Sequence, residues 1–294
     1  MSVSLIVPVH DKTHRLRLAL AGIRGQHNFG DFELIIVADR PGDGVRELLA
    51  ALNIGRVVES PGVGRAGARN CGAHQARGEL LVFMDDDILI EHDFMSAHLQ
   101  AQAACSGLVH GRLREIIGLY NVADPALGGP GCPPISSDEL VAGRWRPGPI
   151  RLVANRLEQA AEHSRAVHWP WLASAGANIS ISRALWQQVG GFDDIYGTRW
   201  GMEDIDFAYR LWRAGVPISL APEACGYHMS HVGESRWDEH RLNLRRFQRM
   251  ADCPEALALD ELLSPTGSLD KYIQRVDQIR QTPRPAAACA YNAR

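Results

Sequence analysis

The sequence predicts an α/β protein with a parallel sheet, because short apolar runs alternate with amphipathic stretches throughout residues 1–112. Four apolar runs have the length and composition of strands: 3–7, 33–37, 56–58 and 79–84. Three candidate helices separate them: 13–25, 44–52 and 65–77. Each helix closes on a residue that favours a helix C-terminus, namely Gly25, Asn53 and Gly78. This is the β-α-β-α order of a parallel sheet.

Polar residues follow three of the four apolar runs. They are His10 and Asp11, Asp39 and Arg40, and the acidic run 85–87. Ligands of such sheets bind beyond the carboxyl ends of the strands. We therefore expect these residues to converge on one edge and to form a binding site.

The second half of the chain is predicted to be irregular at first and helical later. Residues 113–150 are rich in Gly and Pro and are expected to form long loops. A strand is expected at 177–181, a helix near 183–189, and a further helix opening at Glu203. From about residue 238 the pattern is helical and charged, and the proline-containing C-terminal tail is expected to be disordered.

Composition and charge exclude several classes of function. The 294 residues are 46% hydrophobic and carry a formal net charge of -3 without a basic stripe, so no nucleic-acid partner is expected. The 6 cysteines lie far apart without a CxxC pair, which favours a reducing, cytoplasmic location. No run of about 18 apolar residues occurs, so neither a signal peptide nor a membrane span is expected.

The acidic run Asp85, Asp86 and Asp87 predicts a metal site. Three adjacent carboxylates repel one another unless a cation neutralises them. Mg²⁺ and Mn²⁺ accept oxygen ligands, and Mg²⁺ in particular often binds one or two carboxylates together with the phosphates of a substrate. The alternative is a solvated acidic turn without a ligand.

Residues 62–67 (GVGRAG) fit the GxGxxG pattern of dinucleotide-binding folds, with an acid about 20 residues later. On this alternative the chain is an NAD(P)-dependent oxidoreductase. A complete βαβ unit precedes these glycines, however, whereas the fingerprint usually follows the first strand of a domain, and ribose recognition needs one acid rather than three.

An ordered set of motifs resembles the family 2 glycosyltransferases of the GT-A fold, which carry such a run before their DxD motif. The central matches are 64–72 (GRAGARNCG), 76–79 (ARGE) and 83–87 (FMDDD). Others follow in order along the chain: 7–9 (VPV), 175–178 (AGAN), 190–193 (GGFD) and 201–206 (GMEDID). The resemblance implies a single GT-A domain over 1–235 with a helical extension at 236–294. Residues 1–112 then form the nucleotide-sugar half and 113–235 the acceptor half.

The resemblance also implies a nucleoside pocket. Pro8, Val9, His10 and Asp39 correspond to it, with the Asp39 carboxylate accepting from the base. The end of this strand departs from the family's usual Asp-Asp-Gly-Ser sequence, since residues 39–43 are Asp-Arg-Pro-Gly-Asp.

Further family roles fall on charged residues. Asp85 and Asp86 belong to the donor site, with Asp85 and Asp87 also binding the metal. Arg65 and Arg69 either contact the diphosphate or tie acidic strand ends together.

The stretch from 200–204 (WGMED) to His228 resembles the polypeptide N-acetylgalactosaminyltransferases as well, where a histidine at this place binds manganese. His228 is therefore a candidate third metal ligand, with a partly buried structural histidine as the alternative. The family's Glu-Asp pair corresponds to Glu203 and Asp204, and the catalytic base falls on Asp204. A simple helix start explains the same two acids equally well.

The sequence thus predicts an inverting, metal-dependent hexosyltransferase that uses Mn²⁺ or Mg²⁺ and a nucleoside-diphosphate sugar, with UDP as the expected nucleotide. A GT-A domain that binds a nucleotide sugar without turnover is the remaining alternative. The acceptor is open between a small molecule, a glycan and a peptide, and a homodimer is compatible with the sequence. Four tryptophans are candidates either for sugar stacking or for the core: Trp145, Trp169, Trp171 and Trp200.

Overall fold

The computed structural model describes residues 1–11, 13–117, 119, 122, 124–129, 133–136, 151–164, 169–229, 237–251 and 253–281. Its strands are β1 Val3–Val9, β2 Glu33–Asp39, β3 Arg56–Ser60, β4 Leu80–Met84, β5 Ile88–Ile90, β6 Leu108–Ile117, β7 Arg151–Ala154, β8 Asn178–Ser182 and β9 Ile218–His228. Its helices are α1 Thr13–Arg24, α2 Asp43–Leu52, α3 Gly64–Gln75, α4 Phe94–Ala104, α5 Arg156–Ser164, α6 Arg183–Gln188, α7 Glu203–Arg213, α8 Trp237–Ala251, α9 Pro254–Leu257, α10 Leu259–Leu263 and α11 Leu269–Gln281. Short 3₁₀ turns lie at Pro170–Ala173 and Asp194–Tyr196.

All strands of the described residues join one mixed sheet in the order β3-β2-β1-β4-β8-β6-β9-β5, with β7 paired to β6. The first four strands are parallel, as the sequence predicts. β8 is antiparallel to both β4 and β6, and β9 is parallel to β6. The carboxyl ends of β1, β2, β4, β6 and β9 therefore lie at the same edge.

The core lies on both faces of this sheet, because successive strand residues point to opposite sides. On one face, Ile6 and Phe83 belong to a cluster that also contains Trp171, Phe247 and Tyr272. On the other face, residues of the same strands pack with helices α1, α2 and α4. Helices α8 to α11 thus share the apolar core of the sheet instead of extending away from it.

A buried polar network fixes β8 between β4 and β6. Asn178 donates from Nδ2 to the carbonyl oxygens of Arg112 and Ala224 at 3.0 and 2.9 Å. Its Oδ1 and the Ser180 hydroxyl contact the two ring nitrogens of His98 at 2.8 and 2.9 Å. Burial lowers the pKa of His98 to about 4, so the ring is neutral. These contacts set the position of the segment that precedes β8.

The prediction of a loop over residues 113–150 is wrong for its first five residues. Residues 113–117 continue β6, where Leu113 and Ile116 are buried. The sequence hides this strand because three charged side chains stand at 112, 114 and 115, and its backbone pairs with β9 and β7, which are distant in the sequence. Residues 137–150, the predicted tail at 283–286 and Trp145 lie outside the described residues. No helix in the described part of the chain has the length and apolar character to cross a bilayer.

Candidate active site

The ends of β1 and β2 meet at the predicted edge of the sheet. The His10 ring contacts the Asp39 carbonyl oxygen through Nδ1 at 2.8 Å, and its backbone N–H donates to the Asp86 carboxylate at 3.4 Å. Pro8 is half-buried and Val9 is buried beneath them. The structure therefore brings together the residues predicted to form the nucleoside pocket, and their contacts with a base stay a prediction.

The Asp39 carboxylate organises the glycine-rich loop. It accepts hydrogen bonds from the backbone N–H groups of Gly62, Val63 and Gly64 at 2.9, 2.9 and 3.0 Å, and one from the Ser60 hydroxyl. These amides are therefore directed at a protein carboxylate and not at a pyrophosphate. The dinucleotide alternative requires these amides to bind a pyrophosphate, and they are already engaged by Asp39.

Gly64 has a structural reason to be glycine. Its φ is +80°, and a Cβ atom there would lie 2.2 Å from the Gly197 carbonyl oxygen. The close approach packs the start of α3 against the turn that precedes α7.

The three consecutive carboxylates diverge to separate partners, which relieves their mutual repulsion. Asp85 accepts from Arg69 at 2.8 Å, Asp86 from the His10 N–H at 3.4 Å, and Asp87 lies 3.3 Å from His228 Nε2. The acidic run is therefore no solvated turn: Asp86 and Asp87 are buried and Asp85 is partly exposed.

Asp87 and His228 are the best candidates for metal ligands. The Nε2 atom of His228 faces the Asp87 carboxylate, and its Nδ1 contacts Glu115 at 2.7 Å. A carboxylate behind a histidine is the usual support of a metal-binding imidazole, because it fixes the ring and raises its basicity. Glu115 was missed in the sequence because it falls in the segment predicted to be a loop.

The candidate protein ligands suit a cation that completes its coordination shell with oxygen atoms of a substrate. Within the described residues, no group of three or more His, Cys, Asp or Glu side chains is arranged to hold a metal ion. Glu115 lies on the Nδ1 side of the ring, away from Asp87, so two protein ligands converge. Burial lowers the pKa of His228, but Asp87 and Glu115 outweigh it and raise the pKa to about 10. A cation that binds at Nε2 would therefore have to displace a proton.

Arg15 supports this corner of the site and was also missed in the sequence. It is 7% exposed, and its guanidinium donates to the carbonyl oxygens of Met229, Leu119 and Val122 at 3.0, 3.3 and 3.1 Å. Met229 directly follows His228, so Arg15 holds the end of β9 against α1. In the sequence, Arg15 is only a charged residue next to Leu16, and no pattern indicates its role.

Arg69 joins the two acidic clusters. The side chain is 2% exposed and donates to Asp85 at 2.8 Å and to Glu203 at 3.0 Å. The sequence allows two roles for Arg69, a diphosphate contact or a link between acidic strand ends, and the structure shows the guanidinium bound to two acidic side chains. Arg65, one turn earlier, is half-buried and has no ion pair with any described residue, so a diphosphate contact stays a prediction for it.

Asp204 has the environment of a base. It is half-buried and accepts from the backbone N–H groups of Gly176 and Ile205 at 3.0 and 2.8 Å. Burial and the neighbouring Glu203 raise the pKa of Asp204 to about 6, although Arg69 opposes this shift. Glu203 itself is buried and engaged by Arg69, which leaves Asp204 as the more available carboxylate.

The tryptophans separate into core and surface residues. Trp169 and Trp171 are buried at 7% and 0% exposure, whereas Trp200 is 39% exposed. Trp200 stands four positions before Asp204, in the loop that leads into α7. Of the described candidates, Trp200 is therefore the exposed one, and its ring contacts His240 with 5.0 Å between the ring centres.

Two family models match the chain. Residues 4–123 match glycosyl transferase family 2, and residues 157–232 match the N-terminal domain of galactosyltransferase. The first match contains the acidic run at the end of β4, and the second contains Glu203, Asp204 and His228.

Relatives and solved structures agree with these matches. The validoxylamine A glucosyltransferase of Streptomyces hygroscopicus subsp. jinggangensis is 28% identical over 84% of this chain, which spans 60% of that relative. A mannosyltransferase from Pyrobaculum calidifontis in complex with GDP-Man and Mn²⁺ superposes with a TM-score of 0.55 at 18% identity, covering 97% of this chain and 77% of that one. GalNAc-T7 with UDP, GalNAc and Mn²⁺ gives a TM-score of 0.56 at 12% identity, over 95% of this chain and 54% of that one.

The fold and the arrangement of its strand ends define a GT-A domain. The match of residues 4–123 to glycosyl transferase family 2 confirms the predicted resemblance to that family.

Proposed function

We propose that this chain is an inverting, metal-dependent glycosyltransferase that transfers a hexose from a nucleoside-diphosphate sugar to an acceptor hydroxyl. The observation that supports the proposal best is the pairing of two sites at one sheet edge. Asp87 and His228 offer a cation position that needs substrate oxygens to complete it, and Asp204 offers a carboxylate with a raised pKa.

The reaction is a single displacement at the anomeric carbon. Asp204 accepts the proton of the acceptor hydroxyl while the oxygen attacks that carbon. The bond between the anomeric carbon and the diphosphate oxygen breaks, and its electron pair leaves with the nucleoside diphosphate. A divalent ion held by Asp87 and His228 would supply charge neutralisation for the departing diphosphate. Attack on the face opposite the leaving group inverts the configuration.

The donor is proposed to lie across the ends of β1, β2 and β4. His10, Asp39 and Asp86 surround the nucleoside position, and Arg65 on the first turn of α3 offers a cation for a diphosphate. UDP is the expected nucleotide from the family resemblance. The Pyrobaculum neighbour holds GDP-Man and GalNAc-T7 holds UDP, so both bases belong in the test.

The acceptor is proposed to approach over Trp200. Its exposed indole precedes Asp204 by four residues, and the apolar face of a sugar ring packs well on an aromatic ring. The Streptomyces relative is named for a glucosyl transfer to validoxylamine A, which makes validoxylamine A the first acceptor to test.

The proposal is tested by a donor screen with purified protein. UDP and GDP sugars are incubated with Mn²⁺, and release of the nucleoside diphosphate is measured with and without candidate acceptors. We expect metal-dependent release with at least one donor, inhibited by EDTA, and thermal stabilisation by UDP or GDP plus Mn²⁺. Stabilisation by NAD(P) alone would support the oxidoreductase, and donor binding without turnover would leave a binding domain.

A further inference from the structure

A single buried arginine connects the donor side and the acceptor side of the proposed site. Arg69 donates from Nη2 to Asp85 at the end of β4 and from Nη1 to Glu203 at the start of α7. The two carboxylates are 118 residues apart in sequence and meet on one planar group. Burial alone would lower the pKa of Arg69, but the carboxylates of Asp85 and Glu203 outweigh burial and raise the pKa above its usual value. The guanidinium therefore stays charged.

The surroundings fix the plane of this guanidinium. Its Cζ atom lies 5.4 Å from the centre of the Phe192 ring. On Gly176 a Cβ atom would lie 2.6 Å from Cζ, so only glycine leaves room for the group. An aromatic ring and a bare backbone therefore hold Arg69 in one orientation.

The same glycine touches the proposed base. The Gly176 N–H donates to Asp204 at 3.0 Å, while its Cα packs against Arg69. Glu203 and Asp204 are consecutive residues at the start of α7, so a shift of Glu203 also moves Asp204. Arg69 therefore influences the position of Asp204 through Gly176 and through Glu203, although it makes no hydrogen bond to Asp204 itself.

We propose that Arg69 is a positioning residue. It aligns Asp85, on the side of the nucleotide sugar, with the Glu203–Asp204 pair. Binding of the nucleotide sugar and alignment of the base therefore depend on each other. The inference rests on the proposed glycosyl transfer. It needs the forked geometry of arginine, because the ammonium group of lysine is a single point that cannot hold both carboxylates in the same plane.

The first test compares Arg69→Lys with Arg210→Lys. Arg210 is a matched control: it bonds the α7 residue Asp206 at 2.8 Å, donates to the carbonyl oxygens of Val189 and Gly191, and lies 5.7 Å from the Phe207 ring, yet it contacts no carboxylate at the end of β4. Both variants should lose some thermal stability. Arg69→Lys should lower kcat at least tenfold more than Arg210→Lys and raise the donor KM as well. Losses of activity that follow only the losses of stability would overturn the proposal.

The second test measures the coupling without turnover. Calorimetry gives the affinity for UDP with Mn²⁺ in the wild type, Glu203→Gln, Arg69→Lys and the double variant. We expect Glu203→Gln to alter UDP affinity, and the effect to differ at least about fivefold between the two Arg69 backgrounds, which corresponds to about 1 kcal/mol. If UDP still binds and the effects of Glu203→Gln and Arg69→Lys on its affinity are additive, the positioning role of Arg69 is overturned while the proposed function stands. Absence of both UDP binding and sugar-nucleotide hydrolysis in the wild type would overturn the proposed function and the inference with it.

Discussion

The donor side and the acceptor side of the site differ in how completely their polar groups are satisfied. On the donor side, Asp39, Asp86 and Asp87 each have a protein partner before any ligand binds. On the acceptor side, both ring nitrogens of His240 and Oδ1 of Asn243 are buried without a hydrogen-bond partner among the described residues. The carboxylates of the proposed donor site are thus paired within the protein, whereas the region around His240 and Asn243 has unmet hydrogen-bonding capacity.

Positive backbone φ angles occur on both sides, since Arg40, which directly follows Asp39, has a φ of 49°. Met202, which precedes Glu203, has a φ of 79°, a value that is unusual for a residue other than glycine. The loop before it is held by α8, where Asn243 donates to the carbonyl oxygens of Arg199 and Gly201 at 3.2 and 3.0 Å. Helix α8 lies beyond both family matches, so we expect the acceptor preference to depend on a part of the chain that the family does not define.

The largest effect that sharpens this contrast is expected from Asp204→Asn. The amide keeps the shape of the side chain but cannot accept a proton, so kcat should fall by a factor on the order of 10² to 10⁴. Donor affinity should hardly change. The measurement is steady-state kinetics together with UDP calorimetry. Near-normal turnover of Asp204→Asn beside an inactive Glu203→Gln would instead make Glu203 the base.

His228→Ala tests the donor side. If His228 is a metal ligand, as proposed, its loss should weaken Mn²⁺ affinity about 10-fold to 100-fold, with activity partly restored at high metal concentration. A metal titration of turnover measures this. His27→Ala is the control, because that histidine is exposed and its ring contacts Asp93 and His92 and no residue of the proposed cation position. Equal titration curves for both variants would return His228 to a structural role.

Trp200→Ala tests the acceptor side. Removing the exposed indole should raise the acceptor KM by about tenfold, the cost of a lost stacking contact of about 1.4 kcal/mol. The donor KM should not change, and Trp200→Phe should recover most of the loss. A rise in the donor KM that equals the rise in the acceptor KM would contradict the proposed role of Trp200 in binding the acceptor.

The pH profile tests the state of the base. Burial and Glu203 raise the pKa of Asp204 to about 6, and only the carboxylate accepts a proton, so kcat should fall about tenfold for each unit below pH 6. The ionised form is the disfavoured one in the fold, so stability is lost as the pH rises through 6. Asp204→Asn should therefore be more stable than the wild type above that pH. A flat kcat between pH 5 and 7, where a chemical step limits the rate, would contradict the assignment.

Local sequence patterns predicted the parallel half of the sheet and the edge at which its polar strand ends meet. The strands β1 to β4, helix α3 and the convergence of three acidic strand ends depend on periodicity and on strand direction, which short segments encode. The family motifs added Asp204 and His228, which the structure places at the same edge.

The unpredicted features depend on contacts between distant segments. The pairing of β6 with β9 brings Glu115 behind His228, and no local pattern near Glu115 indicates this. The divergence of Asp85, Asp86 and Asp87 is likewise set by partners far away in the sequence. The engagement of Asp39 by the loop at 62–64 is a third case, since a nucleoside contact and a loop anchor need the same carboxylate.

The most direct test of the division between the two sides is calorimetry of UDP binding in the presence of Mn²⁺, with Asp87→Ala and Asp204→Asn measured side by side. Asp87 contacts His228 at the proposed cation position, whereas Asp204 is the proposed base for the acceptor hydroxyl. We expect Asp87→Ala to abolish metal-dependent UDP binding and Asp204→Asn to bind UDP as the wild type does. Unchanged UDP and Mn²⁺ affinity in Asp87→Ala would contradict the metal assignment and the separation of the two sides.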